Sequence, residues 1–184
     1  MRLTRFLLIV FALIAVGVFT PRDVSAQHPQ TRQGFWFNIG FGYGSLGCQD
    51  CDGREGGGSG ALALGGTIND RLLLGASSNA WTKSQDGVTL TVSTITAAIR
   101  FYPSATGGFF LLGGLGLGRI DVGASGGGFS FNASTTGTGA LIGLGYDIRV
   151  GANVSLTPFW NGFAGNFDGG DANVGQIGLG LTVH

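Results

Sequence analysis

The spacing of Cys48 and Cys51 is the feature of this sequence that most directly suggests chemistry. A thioredoxin-type redox site needs a helix N-terminus to lower the thiol pKa, and no helical pattern surrounds this pair. A zinc site needs two further ligands, for which the nearby Asp50, Asp52 and Glu55 are poor substitutes. Because the N-terminal segment predicts export to an oxidising compartment, we expect a local disulfide, with metal and redox sites as the alternatives.

Histidine, the usual general base of hydrolytic enzymes, is scarce in this chain. Beyond the first 26 residues it occurs only as His28 and His184, both close to the ends of the sequence. Residues 42–47 have the letter pattern of a dinucleotide-binding loop, but that loop must be followed by a helix, and a Cys-containing segment follows here. We therefore expect no enzyme, no cofactor and no metal ligand.

The first 26 residues have the three parts of a secretory signal peptide. Arg2 and Arg5 are followed by the apolar run 6–19, and small residues precede Ala26. The alternative is a retained anchor, but the run is shorter than the roughly 20 residues of a membrane-spanning helix. The sequence predicts cleavage between Ala26 and Gln27. The expected organisation is a signal peptide, a short N-terminal segment and a barrel domain at 1–26, 27–33 and 34–184.

Removal of the signal peptide leaves a nearly neutral chain. The 10 basic and 10 acidic residues become 7 and 9, because Arg2, Arg5, Arg22 and Asp23 are lost. This balance argues against nucleic acid as a partner, since phosphate binding needs a clustered basic surface. The chain has 37 glycines in 184 residues, far above the average glycine content of about 7%. Charged residues make up only 11%, against an average of about a quarter. Few charges, many glycines and no further long apolar run favour β-structure in lipid.

Apolar residues alternate with small or polar ones along the mature chain, which is the pattern of strands with two different faces. The clearest runs are 34–44, 61–68, 139–149 and 176–183. Weaker runs are 72–82, 88–102, 109–120 and 154–163. These eight segments are close to the ~9–11 residues with which a tilted strand crosses a bilayer. The fold class is therefore all-β, an eight-stranded antiparallel up-and-down transmembrane β-barrel, with a soluble barrel or sandwich as the alternative.

The connections between these runs differ in length, as they do between the two ends of an outer-membrane barrel. Longer polar or glycine-rich stretches are expected as outer loops at 47–59, 121–132 and 165–172. Short turns are expected on the periplasmic side at 69–70, 103–108 and 150–153, and 83–87 is short where a loop is expected. An even strand number puts both termini on the periplasmic side and leaves no unpaired edge in the lipid.

Strand parity also predicts which side chains face the lumen. Arg100, Asp147 and Arg149 have the polar parity of their strands, so we expect them to form a polar lumen network. Other expected lumen residues are Asn38, Thr67, Thr96, Thr157 and Gln176. Aromatic girdles at the membrane surfaces are expected from Trp36, Trp81, Trp160, Tyr43, Tyr102 and Tyr146. In 88–102 the apolar parity changes after Val92, which predicts a bulge or an outer half above the membrane.

The chain resembles the small Gram-negative outer-membrane β-barrel family, the OmpA-like and OmpX-like eight-stranded barrels. The segments that carry the resemblance are 34–44, 98–103 followed by 108–114, and 141–147, with the aromatic-Pro turn at Tyr102-Pro103. The resemblance spans about 34–184. It departs at residues 181–184, where the family commonly has a final aromatic residue that serves as an assembly signal.

The resemblance implies a place in the outer membrane, with lipid and the barrel-assembly machinery as partners. From the residues we expect a non-enzymatic protein with a structural or surface-interaction role and no open pore, because an eight-stranded barrel is only wide enough for side chains or one small ligand. The sequence names no extracellular partner. The alternatives are a barrel that binds or transports a small ligand, and a soluble periplasmic ligand-binding barrel.

Overall fold

The computed structural model describes residues 32–48, 53–126, 129–167 and 170–184, and within these ranges it contains nine β-strands. Their bounds are Phe35–Cys48 (β1), Glu55–Asn69 (β2), Leu72–Gln85 (β3), Val88–Phe101 (β4), Phe109–Gly126 (β5), Phe129–Tyr146 (β6), Ile148–Arg149 (β7), Val154–Phe167 (β8) and Gly170–Val183 (β9). No helix in the described ranges is long and apolar enough to cross a membrane.

Strands β6 and β7 form one interrupted strand of the wall. Both pair with β8 in the same register, from Gly145 opposite Phe159 to Ile148 opposite Leu156. The interruption coincides with Pro158, which lies between those positions and has no N–H for the ladder. The wall therefore has eight strands.

Every strand of the wall is antiparallel to its neighbours, and β1 pairs with both β2 and β9, so the sheet closes on itself. The predicted eight-stranded up-and-down barrel is confirmed. At the closing seam the two backbones approach closely at Gly42, where a Cβ would lie 1.9 Å from the carbonyl oxygen of Ile177. Only glycine fits this position.

The alternation of the sequence becomes an outer apolar face and a filled inner face. In β1, Trp36 and Asn38 are buried, whereas Phe35, Phe41 and Tyr43 are 65%, 69% and 60% exposed. At about 3.3 Å per residue and a tilt of about 40°, the outward residues from Phe35 to Tyr43 span roughly 20 Å, close to the apolar band of membrane barrels.

Of the two explanations predicted for the phase change in β4, a bulge and an outer half above the membrane, the structure contradicts the bulge. β4 keeps one register from Val88 to Phe101 with both β3 and β5. Val92 is buried on the lumen side and Leu90 packs against the same core. The continuous register excludes a bulge. The apolar residues change parity because the lumen itself is apolar at this level, so apolar side chains occupy inward positions.

The strands are longer than the hydrophobic pattern predicts. Most of the described residues in the loops expected at 47–59, 121–132 and 165–172 belong to strands, and β5 and β6 have 18 residues each. Glycine and hydroxyl residues continue the pairing there without a hydrophobic signal. Between β3 and β4 a two-residue turn suffices, because Asp86 and Gly87 both have positive φ, 52° and 79°, as a type I′ hairpin turn requires.

Candidate functional site

The lumen has two ends, and Asp147 is the centre of the polar side chains at one of them. We call this the terminal end, since β1 begins and β9 ends there, and the opposite one the hairpin end. Asp147 is fully buried. The Tyr102 hydroxyl donates to Oδ2 at 2.6 Å, the Thr157 hydroxyl donates to Oδ1 at 2.7 Å, and Nε2 of His184 lies 3.3 Å from Oδ2. One carboxylate thus connects residues at the ends of β4 and β9 with β8.

Hydrogen bonds continue from Asp147 across the seam of the barrel. The hydroxyls of Thr157 and Thr182 are 2.7 Å apart, and Nδ2 of Asn38 donates to the Thr182 hydroxyl at 2.8 Å. All three side chains are buried. Strands β8, β9 and β1 are therefore linked inside the lumen as well as through their backbones.

Arg100 supplies a buried positive charge beside this network. Its guanidinium carbon lies 4.2 Å from the ring centre of Phe110 and 4.7 Å from that of Trp36. Nε and Nη1 have no hydrogen-bond partner among the described residues. The ring faces, with about 2 kcal/mol for a desolvated cation–π contact, and the nearby Asp147 carboxylate stabilise the charge.

The side chain of Arg32, which precedes β1, packs against the turns at the terminal end of the lumen. Its guanidinium donates to the carbonyl oxygens of Asp70 at 3.3 Å, Ala105 at 3.0 Å and Gly107, in two different turns. The side chain is fully buried. Sequence reasoning missed Arg32 because it lies in the N-terminal segment, where no strand parity indicates its direction.

Tyr102 is covered by Arg32. The guanidinium carbon of Arg32 lies 3.4 Å from the centre of the tyrosine ring. Burial raises the pKa of Tyr102 to about 12. The phenol therefore stays protonated and continues to donate to Asp147 throughout the physiological pH range.

The three predicted network residues are placed differently. Arg100 and Asp147 both lie inside the terminal end. Arg149 is only half-buried, and its guanidinium donates to the carbonyl oxygens of Gly151 at 3.2 Å and of Ala152. These bonds fix the turn between β7 and β8. Arg149 is the last residue of β7, and its side chain contacts the turn that follows and not the lumen network.

Midway along the lumen the contacts are neutral. Oδ1 of Asn79 accepts hydrogen bonds from Nδ2 of Asn161 at 3.0 Å and from Nε2 of Gln176 at 2.8 Å, and Nδ2 of Asn79 donates to Ser77. Of the other expected lumen residues, Asn38, Thr96 and Thr157 are buried and Thr67 is half-buried.

The hairpin end of the lumen is apolar. The Trp81 indole is its largest side chain, and Nε1 donates to the carbonyl oxygen of Gly44 at 3.1 Å. The buried residues around it include Leu46, Val92, Phe163, Phe167, Ala172 and Val174. This half is packed like the core of a soluble protein.

Aromatic rings occupy the space that the lumen glycines leave. A Cβ on Gly40 or on Gly178 would lie 2.6 Å from the ring of Phe159, and one on Gly165 would lie 2.3 Å from that of Phe167. A glycine-rich lumen wall is therefore not an empty lumen.

The predicted aromatic girdle is wrong for half of its residues. Trp36, Trp81 and Tyr102 are buried inside the barrel. The others face outward, as a girdle requires: Tyr43, Tyr146 and Trp160.

Polar side chains cover the outer wall near the hairpin end. Hydroxyls pair across β3 and β4, with Thr82 and Thr91 3.1 Å apart and Ser84 and Thr89 2.7 Å apart. An exposed ion pair joins Arg119 to Asp121 at 2.8 Å on the same outer face. The exposed Lys83–Glu55 pair instead has the inward parity of its strands and lies beyond Trp81 at the mouth of the lumen. This rim presents a hydrated surface beyond the apolar band.

Several predicted residues lie outside the described ranges: Ala26, Gln27, His28 and Cys51. Cys48 is the last residue of β1. Within the described ranges no group of three or more His, Cys, Asp or Glu side chains is placed to hold a metal ion.

Solved outer-membrane structures have the same fold as this chain. Neisserial surface protein A (NspA) shares 18% identity, with 84% of this chain and 99% of that chain covered and a TM-score of 0.61. Ail, the attachment invasion locus protein of Yersinia pestis, shares 16% identity, with 82% and 99% covered and a TM-score of 0.59. The structure of the Yersinia pestis outer membrane protein Ail in a phospholipid bilayer nanodisc shares 18% identity, with 82% of this chain and 99% of that chain covered and a TM-score of 0.50.

No protein-family model and no curated protein matches the sequence. At these identities the likeness to the solved structures establishes the fold alone. The chain has the fold of the small eight-stranded outer-membrane β-barrels.

Proposed function

We propose that this chain is an exported, non-enzymatic outer-membrane protein with a structural or surface-interaction role and no open pore. The observation that carries the proposal is the filled lumen. The terminal end is occupied by Arg32, Arg100 and Asp147 with their partners, and the hairpin end by Trp81 and Phe163 with theirs. A barrel of eight strands has an interior wide enough for side chains or for one small ligand, and here side chains occupy it.

The outer wall supports a place in the outer membrane. Large apolar side chains that are 61–74% exposed lie around the barrel, among them Phe41, Leu115, Ile142 and Ile177. In a bilayer these side chains would contact lipid chains. In this placement the terminal end faces the periplasm and the hairpin end faces outward. Outer-membrane lipid and the barrel-assembly machinery are then the expected partners, and nucleic acid is not one.

The hairpin end supports the surface role. Strands β5 and β6 extend beyond the apolar band and carry Arg119, Asp121, Ser134 and Thr136 on their outer face. NspA is a surface protein by name, and Ail an attachment invasion locus protein. We propose a similar surface exposure here, with the predicted Cys48–Cys51 disulfide tightening the first hairpin and cleavage after Ala26 accompanying export.

Cysteine labelling in whole cells tests this placement. Ser134→Cys lies on β6 beyond the band, and Ser104→Cys is a matched exposed serine in the turn between β4 and β5. A membrane-impermeant maleimide should label Ser134→Cys and leave Ser104→Cys unlabelled, relative to wild type. The protein should fractionate with membranes and show heat-modifiable gel mobility. Recovery in the soluble periplasm, or the reverse labelling, would contradict the proposal.

A further inference from the structure

A groove runs along the outer wall over β6, β8 and β9 toward the hairpin end. Its floor lies where two outward glycines, Gly162 and Gly175, are neighbours in the register of β8 and β9. A Cβ on Gly175 would meet open space. One position further along the wall, Ala140 and Ala164 again leave the surface low. The resulting depression has a volume of about 440 Å³.

Trp160 forms the lower wall of this groove. Its indole lies across Gly162, where a Cβ would be 3.1 Å from the ring, and Ile142 stands on the other side of that glycine. Trp160 also borders a second depression of about 720 Å³, which lies between Phe41 and Tyr146. The two depressions thus share Trp160, which separates them along the apolar face of the wall.

Arg54 lies at the upper rim of the groove. Its Nε donates to the Ser45 hydroxyl at 3.0 Å, Nη1 donates to Oδ1 of Asn173 at 2.8 Å, and Nη2 donates to the Ser45 carbonyl oxygen. All three acceptors are neutral. The contacts fix the exposed guanidinium above the groove but do not neutralise its charge.

The other rim cations near the hairpin end differ from Arg54. Lys83 pairs with Glu55, and Arg119 pairs with Asp121. Asp171 lies further along β9, where it accepts a hydrogen bond from Asn166. Within the described residues, Arg54 is thus a positioned cation whose hydrogen bonds leave its charge for an external anion.

We propose that this groove binds one outer-leaflet lipid, with an acyl chain lying against Trp160 and an anionic phosphate head group bound by Arg54. The inference rests on the proposed outer-membrane location. Lipid chains are as apolar as the groove, so chain burial alone does not select a lipid. Selection comes from the shape of the floor and from Arg54, because guanidinium groups match phosphate oxygens in geometry and charge.

Native mass spectrometry of the purified, folded protein tests the head-group contact. The protein is mixed with equal amounts of phosphatidylglycerol and phosphatidylcholine that carry identical chains. The wild type should retain the anionic lipid preferentially, and Arg54→Gln should lower that preference about fivefold, the ratio expected for one interfacial cation. Arg119→Gln, which removes a paired rim cation, should leave the preference unchanged. An unchanged preference in Arg54→Gln would overturn the proposal.

A second pair of variants tests the groove itself. Gly175→Leu fills the floor and should reduce retention of both lipids, whereas Gly66→Leu, an outward glycine of β2 that also faces open space, should not. Heat-modifiable mobility checks that each variant is folded. Equal effects of the two variants, or a protein dimer that Gly175→Leu abolishes, would overturn lipid as the occupant. Because these measurements use folded protein, their outcome is separate from that of the cell-labelling experiment.

Discussion

The two ends of the lumen are filled by different kinds of interaction. At the terminal end, Asp147 accepts hydrogen bonds from Tyr102 and Thr157 near the buried Arg100. At the hairpin end, Trp81 and Phe163 pack among aliphatic and aromatic side chains. The alternation of the strands determines which residues point inward at both ends. It does not determine whether those residues interact through charge and hydrogen bonds or through apolar packing. The terminal half depends on charge and hydrogen bonding, and the hairpin half on close packing.

Asp147→Ala should have the largest effect. The substitution removes a buried carboxylate that interacts electrostatically with Arg100 and accepts hydrogen bonds from two hydroxyls, so the free energy of unfolding should fall by about 4 kcal/mol. Urea titration of the folded barrel in detergent micelles, followed by tryptophan fluorescence, measures the loss. Thr157→Val is the control, with an expected loss of about 1 kcal/mol. A loss for Asp147→Ala no larger than that of the control would contradict the importance of the charge.

Phe163→Ala should reduce stability somewhat less, by about 3 kcal/mol, since it opens a cavity in the apolar half. Phe131→Ala is the matched control, because Phe131 is 62% exposed on β6 and its loss should cost within about 0.5 kcal/mol. The same urea titration measures both variants. If they lose equal amounts, the hairpin end is not packed as described.

The ionisation of Tyr102 gives a third test of the terminal end, and its effect on the free energy of unfolding near neutral pH is the smallest of the three. Its raised pKa means that the folded state favours the protonated phenol, so this contribution is complete below about pH 10 and is lost as the pH rises toward 12. Tyrosinate absorbance of the folded wild type should therefore show a last step near pH 12. Tyr102→Phe should lack that step, and Phe163→Ala should keep it. A titration curve of unchanged shape in Tyr102→Phe would refute the assignment.

Much of the wall is predictable from the sequence because a β-strand has a period of two. The apolar and small residues of β1 and β9 predict their faces and, with an even strand number, the pairing of the two. The ends of the strands are less predictable. In β5 and β6 the pairing continues through Gly123 and Asn132, whose side chains carry no hydrophobic signal, so the sequence there resembles a loop.

The interior is harder to predict because it depends on contacts between distant residues. Parity places Arg100 and Asp147 inside, but Arg32 joins them only because the turns at Asp70 and Ala105 present carbonyl oxygens to it. The aromatic rings are a second case. Composition suggests that glycines leave space, and only the fold brings Phe159 over Gly178.

Planar-bilayer recording of the purified, folded protein tests the central claim, that both halves of the lumen are closed. Because the lumen is filled, we expect no conductance steps when folded protein, checked by its heat-modifiable mobility, is added to the bilayer. Reproducible conductance steps from the wild type would show a continuous water path past Asp147 and Trp81, and would contradict the account.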